Sequence, residues 1–385
     1  MINKRTFSAA LVGVIALALV MTAGVAAVEL DLEGIEELEG LYMYDEVTDM
    51  DNLEQMRDVV REDAVPIADD AVPEDPVEVA MIYPALDLSD SWARGYEAFV
   101  ARMDELDIPY DMATMGSGHA EHDVQRSHLE TVLMQEYDYV IVGPTELYVQ
   151  QDAIAELIDH PDINVIVWNY STPLEEWGET REEGQPLSWV AFDHLDGARM
   201  LGEHITETYD SDKVAAMMYG VPGSTTAMRG YAQKQIMENH GMDVVYEHYA
   251  DWDRDLAYQA TMDFAPSYEP DFIHSTSTAM TGGIVSALTE LGMMDDVVVN
   301  GWGGGSEEQE YLSDGRIEYT VMRNQDDWGV VLAEMIKFDL EGRRDEIPLA
   351  YAGEMQVIDH TMSEEEIEEI LEHAFRYSKE ELGMF

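Results

Sequence analysis

The chain has 385 residues, 46% of them hydrophobic, enough for more than one core, and it contains no cysteine, which excludes a disulfide framework and any thiolate metal site. Its 81 acidic residues against 20 basic ones give a formal charge of −61, which makes nucleic acid and anionic membrane surfaces poor partners. At about 1 M salt the Debye length falls to about 3 Å and the self-repulsion of such a surface is mostly screened, so the composition reads as that of a salt-adapted protein.

In chain order, Lys4 and Arg5 precede an apolar run from Leu11 to Val20, and small residues follow as far as Val25-Ala26-Ala27. This reads as a secretory signal over 1–27, cut after Ala26 or Ala27, because the apolar run is shorter than the ~20 residues of a spanning helix. The expected location is therefore the periplasm. Residues 28–76 are acidic and punctuated by proline, with short helical stretches such as Asn52–Val60, and read as an arm or spacer ahead of the folded body.

From Val77 onward apolar strands alternate with amphipathic helices, the pattern of parallel α/β sheets. Val77–Pro84 predicts a strand, and the helix after it carries Trp92, Tyr96, Phe99, Met103 and Leu106 at three- and four-residue spacing. Strands follow at Tyr137–Val142, Asn164–Asn169 and Val190–Phe192. A second set begins at Val214–Tyr219 and continues with Val244–Tyr249, Phe272–Ser275 and Val297–Asn300. Then come Ile317–Met322, a helix over Asp326–Leu340, a short strand near Gln356–Ile358 and a final acidic helix. Two such units predict a pair of Rossmann-like lobes, with ligand sites beyond the carboxyl ends of the strands.

Arg229 and Arg323 fall near strand ends in a chain with few positive charges. A guanidinium fork suits an anionic or polyhydroxylated ligand, although position alone does not separate this from a surface arginine neutralising nearby carboxylates. Trp92 and Trp302 also stand at strand ends, where flat rings suit the C–H faces of a sugar, and Ser89 and Asn169 could take its hydroxyls. The run Gly303–Gly305 lacks the spacing of a phosphate loop, and Ser306 is not in a G-x-S-x-G elbow. No catalytic constellation or metal motif is found, so neither an enzyme nor a cofactor is expected. His119, His122 and His128 read as solvated side chains.

Taken together, these residues resemble the LuxP-type autoinducer-2 receptors, within the wider ribose-binding-like periplasmic binding proteins of type 1. The likeness runs from about Val77 to Ser378. It rests on Ser89-Asp90 with Trp92, Asn169 with Thr172-Pro173, Phe192-Asp193-His194, Arg229-Gly230, and the run Asn300–Ser306 at fixed spacing from Arg323. The resemblance implies an α/β fold of two Rossmann-like lobes with parallel sheets, joined by a multi-strand hinge. The lobes would comprise 77–193 plus 302–348 and 194–301 plus 349–385. It also implies a pocket at Asp87, Ser89, Trp92, Asn169, Arg229, Thr278, Trp302 and Arg323 for a furanosyl borate diester, with boron entering only as part of the ligand. Asp87 stands where the family has glutamine, and an ionised aspartate can only accept hydrogen bonds. The implied partner is the outer domain of a membrane sensor histidine kinase, signalled by lobe closure in quorum sensing. The alternative is a pentose- or hexose-binding subunit of an ABC importer, with an ABC permease as partner.

Overall fold

The computed structural model describes residues 30, 32, 34–84, 90–118 and 121–379. The expected signal segment, 1–27, the expected site positions Asp87 and Ser89, and His119 lie outside the described residues.

Among the described residues, twelve strands form two six-stranded sheets. The first contains β1 (Val77–Pro84), β2 (Tyr110–Ser117), β3 (Tyr139–Val142), β4 (Asn164–Trp168), β5 (Ser188–Phe192) and β11 (Ala350–Gly353), in the order β11-β5-β4-β3-β1-β2. All its pairings are parallel. The second contains β6 (Val214–Tyr219), β7 (Asp243–Tyr249), β8 (Phe272–Ser275), β9 (Val298–Gly303), β10 (Tyr319–Arg323) and β12 (Met355–Asp359), in the order β12-β10-β9-β8-β6-β7. Only β12 in this sheet runs antiparallel, against β10. In β1 every residue but Glu78 is buried, as a parallel strand covered on both faces requires.

The helix Asp327–Leu340 is the backbone of the first lobe's core, with every residue from Asp327 to Phe338 buried. It packs on the helix Asp90–Glu105, and Gly329 sets the approach, since a Cβ there would stand 2.0 Å from the Gly95 carbonyl oxygen. Inside this contact Arg102 pairs with Glu334 at 2.7 Å, both about 1% exposed, and donates further to the Val59 and Glu62 carbonyls. A buried ion pair holds only when such extra hydrogen bonds satisfy its remaining donors.

The chain crosses between the sheets at residues 192–194, 323–327 and 353–355. The lobe boundaries expected at 301/302 and 348/349 are therefore corrected. β9 continues through Gly303 and pairs with β10, so 302–323 belong to the second lobe, while β11 pairs with β5 and belongs to the first. The tail also returns to the second crossing, where the Asp326 carboxylate accepts from the Tyr377 and Ser378 amides at 2.6 and 2.9 Å.

The acidic arm is also corrected from spacer to part of the body. Asp49 caps the helix Met50–Arg61, accepting from the Asp51 and Asn52 amides. Leu53, Met56 and Val60, at helical spacing, are fully buried against the first lobe. Thr48 accepts from the Ala350 amide at 2.9 Å, and Arg57 Nε donates to the Ala352 carbonyl at 3.0 Å, beside the third crossing.

Candidate ligand-binding cleft

The carboxyl ends of strands from both sheets converge on one cleft of about 1040 Å³, part of it open to solvent. Pro84, Trp92, Glu146, Asn169 and Tyr170 line it from the first lobe. The second lobe contributes the loop 221–226, Arg229, Trp252, Thr278, Gly303 and Arg323. Gln325, on the second crossing, and Trp328 line it as well.

The first wall is aromatic. Trp92 stacks on Tyr83 with ring centroids 6.0 Å apart and 17° between planes, meets Trp168 edge-on at 4.9 Å, and tilts on Trp328 at 4.9 Å. Such a cluster fixes a ring against the cleft at little entropic cost. Asn169 follows β4 with φ 75°, a left-handed conformation that asparagine tolerates better than most residues. Its backbone N–H donates to the Val190 carbonyl at 2.7 Å.

The second wall is cationic. Arg229 sits in a π-helical turn, Ala227–Tyr231, of the kind often found at functional sites. It is only 5% exposed, yet it lines the cleft. Its Nη1 donates to the Thr276 carbonyl at 3.1 Å and its Nη2 to His194 Nε2 at 3.0 Å. The Trp252 and Trp302 rings lie 5.4 and 5.7 Å from its Cζ. Burial, and then the charge of Arg323, push its pKa well below the usual arginine range. Among the described residues no carboxylate forms an ion pair with it. Arg323 ends β10 and reaches across to the first lobe, Nη1 donating to Ser91 Oγ at 3.2 Å. Gly303, at φ 118°, makes room for it, because a Cβ there would stand 2.4 Å from its Nη2.

Behind this wall Glu308 holds the glycine loop in shape. Its carboxylate accepts from the Trp302 amide at 2.9 Å, the Gly304 amide at 2.9 Å and the Thr320 hydroxyl at 2.7 Å. Burial pushes its pKa up, and these hydrogen bonds oppose the shift. Thr278 opens the helix Thr278–Leu291 and donates to the Trp302 carbonyl at 3.3 Å.

Of the expected site residues, the structure brings Trp92, Asn169, Arg229, Thr278 and Arg323 together around the cleft. Trp302 is corrected: it is fully buried, its ring packed among Arg229, His194 and His274. Side chains alternate along a strand, so with Gly303 on the cleft side Trp302 faces the core. Sequence reasoning missed Glu146, Tyr170, Trp252 and Gln325. Glu146, Tyr170 and Trp252 each follow a strand by a few residues, and the strand-end rule that found Asn169 reaches them too.

Residues 79–344 match the family model described as periplasmic binding protein domain. The chain belongs to that family. The family is one of periplasmic binding proteins, and among the described residues no helix is long and apolar enough to cross a membrane. Among curated proteins, the ribose import binding protein RbsB of Escherichia coli (strain K12) is 24% identical over 165 residues, 42% of this chain and 55% of that protein. The RbsB of Salmonella typhimurium matches equally, so the chain spans about half the length of the curated relatives it matches. Three solved structures share the fold. A solute-binding protein of an ABC transporter from Agrobacterium vitis, with bound D-fucose, superposes with a TM-score of 0.67 at 16% identity, covering 76% of this chain and 98% of that one. One from Bacillus halodurans C-125, with bound myo-inositol, gives 0.64 at 19%, covering 77% and 98%. The binding component of the arabinose ABC transporter from Shewanella sp. ANA-3, bound to L-arabinofuranose, gives 0.63 at 16%, covering 80% and 98%.

Proposed function

We propose that the protein captures a monosaccharide-sized polyol by closing its lobes, as the solute receptor of an ABC importer. The observation that carries this reading is the convergence of an aromatic wall and a guanidinium wall, one from each lobe, on a single cleft. Ring faces suit the C–H surface of a sugar, and arginine forks, threonine hydroxyls and amides suit its oxygens. The bound D-fucose, myo-inositol and L-arabinofuranose of its structural relatives, and the ribose of its curated ones, are of this size and class. The backbone crossings between the lobes supply a hinge, and closure removes the guest from water.

One observation favours a second reading, the borated furanosyl signal autoinducer 2 read out by a sensor kinase. Two guanidiniums line the same cleft, and no described carboxylate pairs with Arg229, so a guest bearing negative charge gains more there than a neutral sugar does. Denaturing the purified protein and analysing what it releases, by mass spectrometry and boron NMR, decides between the two. A boron-free pentose, hexose or inositol supports the importer. A borated furanose sinks it in favour of the signal receptor, and a released guest with no hydroxylated ring sinks both.

A further inference from the structure

Arg229 shares a hydrogen bond with an imidazole. His194 opens the helix His194–Thr208 directly after the first crossing between the lobes, and Asp193 caps that helix by accepting from the Asp196 amide at 3.0 Å. His194 Nε2 lies 3.0 Å from Arg229 Nη2, with the two residues 2% and 5% exposed. A guanidinium has donors and no acceptor, so Nε2 must present its lone pair and the ring is neutral. The Thr276 carbonyl takes the other arm of the fork at 3.1 Å. Two uncharged acceptors therefore fix the guanidinium, where a carboxylate would have fixed it and cancelled its charge.

The charges that reach His194 are those of Arg229 and Arg323, both positive. The nearby Asp193 carboxylate is engaged elsewhere, taking the Tyr44 hydroxyl at 2.8 Å and the Asp196 amide. The Trp302 ring covers another side of the imidazole, with centroids 6.5 Å apart.

We infer that His194 is a positioning residue that sets the charge preference of the cleft, holding Arg229 toward the guest while leaving its positive charge uncompensated. The charge preference rests on the cleft being the ligand site; the positioning does not. Because His194 follows the first crossing, the fork is anchored at the hinge and keeps its direction as the lobes move.

The test has two readouts. Nitrogen-15 NMR of arginine-labelled protein, without any sugar, should show Arg229 Nη signals split by hindered rotation, assigned by their loss in Arg229→Lys. His194→Leu, which removes the acceptor, should collapse the splitting, and His194→Gln, which supplies an amide oxygen in its place, should restore it. Splitting that persists in the leucine variant overturns the positioning. Calorimetry then uses D-ribose alone and D-ribose with excess borate, whose diester is an anion. The wild type should favour the borated probe, and His194→Glu should lower that preference by about ten-fold or more while keeping the NMR splitting. An unchanged preference overturns the charge assignment. A wild type that binds neither probe overturns it together with the cleft reading, and the NMR result stands separately.

Discussion

At the scale of single residues, burying a guanidinium without a carboxylate is unfavourable unless the site recovers the loss when it is filled. Arg229→Ala should therefore weaken binding of an anionic guest by about 2–5 kcal/mol while leaving folding stability unchanged or higher. Calorimetry and urea unfolding on the same preparation check both halves, and an equal loss of stability and affinity would contradict the argument. Arg229→Lys should recover little, because a point charge cannot reproduce two fixed bonds. A second residue-scale prediction concerns His274, fully buried beside Trp302, whose pKa burial lowers from its ordinary value to about 3. Between pH 6.5 and that value the unfolded chain takes up a proton that the folded one refuses, so stability falls as pH falls through this window. The slope is about 1.4 kcal/mol per pH unit for one such proton. His274→Leu should flatten the acid limb of urea unfolding midpoints measured in high salt. The wild-type slope surviving in that variant would assign the acid loss to other groups.

At the scale of elements, the arm gives the sharpest expectation. A spacer would tolerate truncation of its apolar side chains, but Met56 is completely buried on the first lobe. Met56→Ala should cost about 2–5 kcal/mol, the range for emptying a core position, seen as a lower urea midpoint with an unchanged slope. A change below about 0.5 kcal/mol, the range of surface positions, would return the arm to the role of spacer. The arm helix also shows what sequence could and could not convey. Its apolar spacing was visible, yet its partner surface lies almost 300 residues away in chain order, and local pattern carries nothing about that. The two missed strands have kindred reasons. β2 buries only its last residue and so has no apolar run, and β11 has four residues paired to β5 far upstream. β9 runs past the expected end at Asn300, because Gly301-Trp302-Gly303 reads as loop chemistry while continuing the strand. Within the site, the arginines were legible because cations are scarce in this chain. The strand-end position of Trp302 says how far along the sheet it lies and leaves its face open, and that face is the core. Trp252 lies within reach of the strand-end rule, but the two successive left-handed residues there, Asp251 at φ 51° and Trp252 at φ 61°, are announced by no periodicity.

At the scale of the whole molecule, the charge of −61 acts on every other term. The few lysines are mostly spent locally: Lys213 pairs with Asp271 at 3.1 Å, Lys234 with Glu247 at 2.6 Å and Lys337 with Glu334 at 3.5 Å. What remains is a surface of carboxylates that repel one another in the folded state more than in the expanded one, because folding brings them closer. At 0.1 M salt the Debye length is about 10 Å, long enough for neighbouring surface charges to interact, and at 1 M it is about 3 Å. The thermal midpoint should therefore climb steeply between those concentrations. Sodium chloride and potassium chloride should act alike at equal ionic strength if screening is the cause. Ligand affinity should respond less than stability does, since the guanidiniums that would hold the guest are buried, and buried charges are screened weakly. A midpoint flat from 0.1 to 1 M, or one that rises for sodium alone, would mean that the acidic surface is neutralised by bound ions and that diffuse screening contributes little.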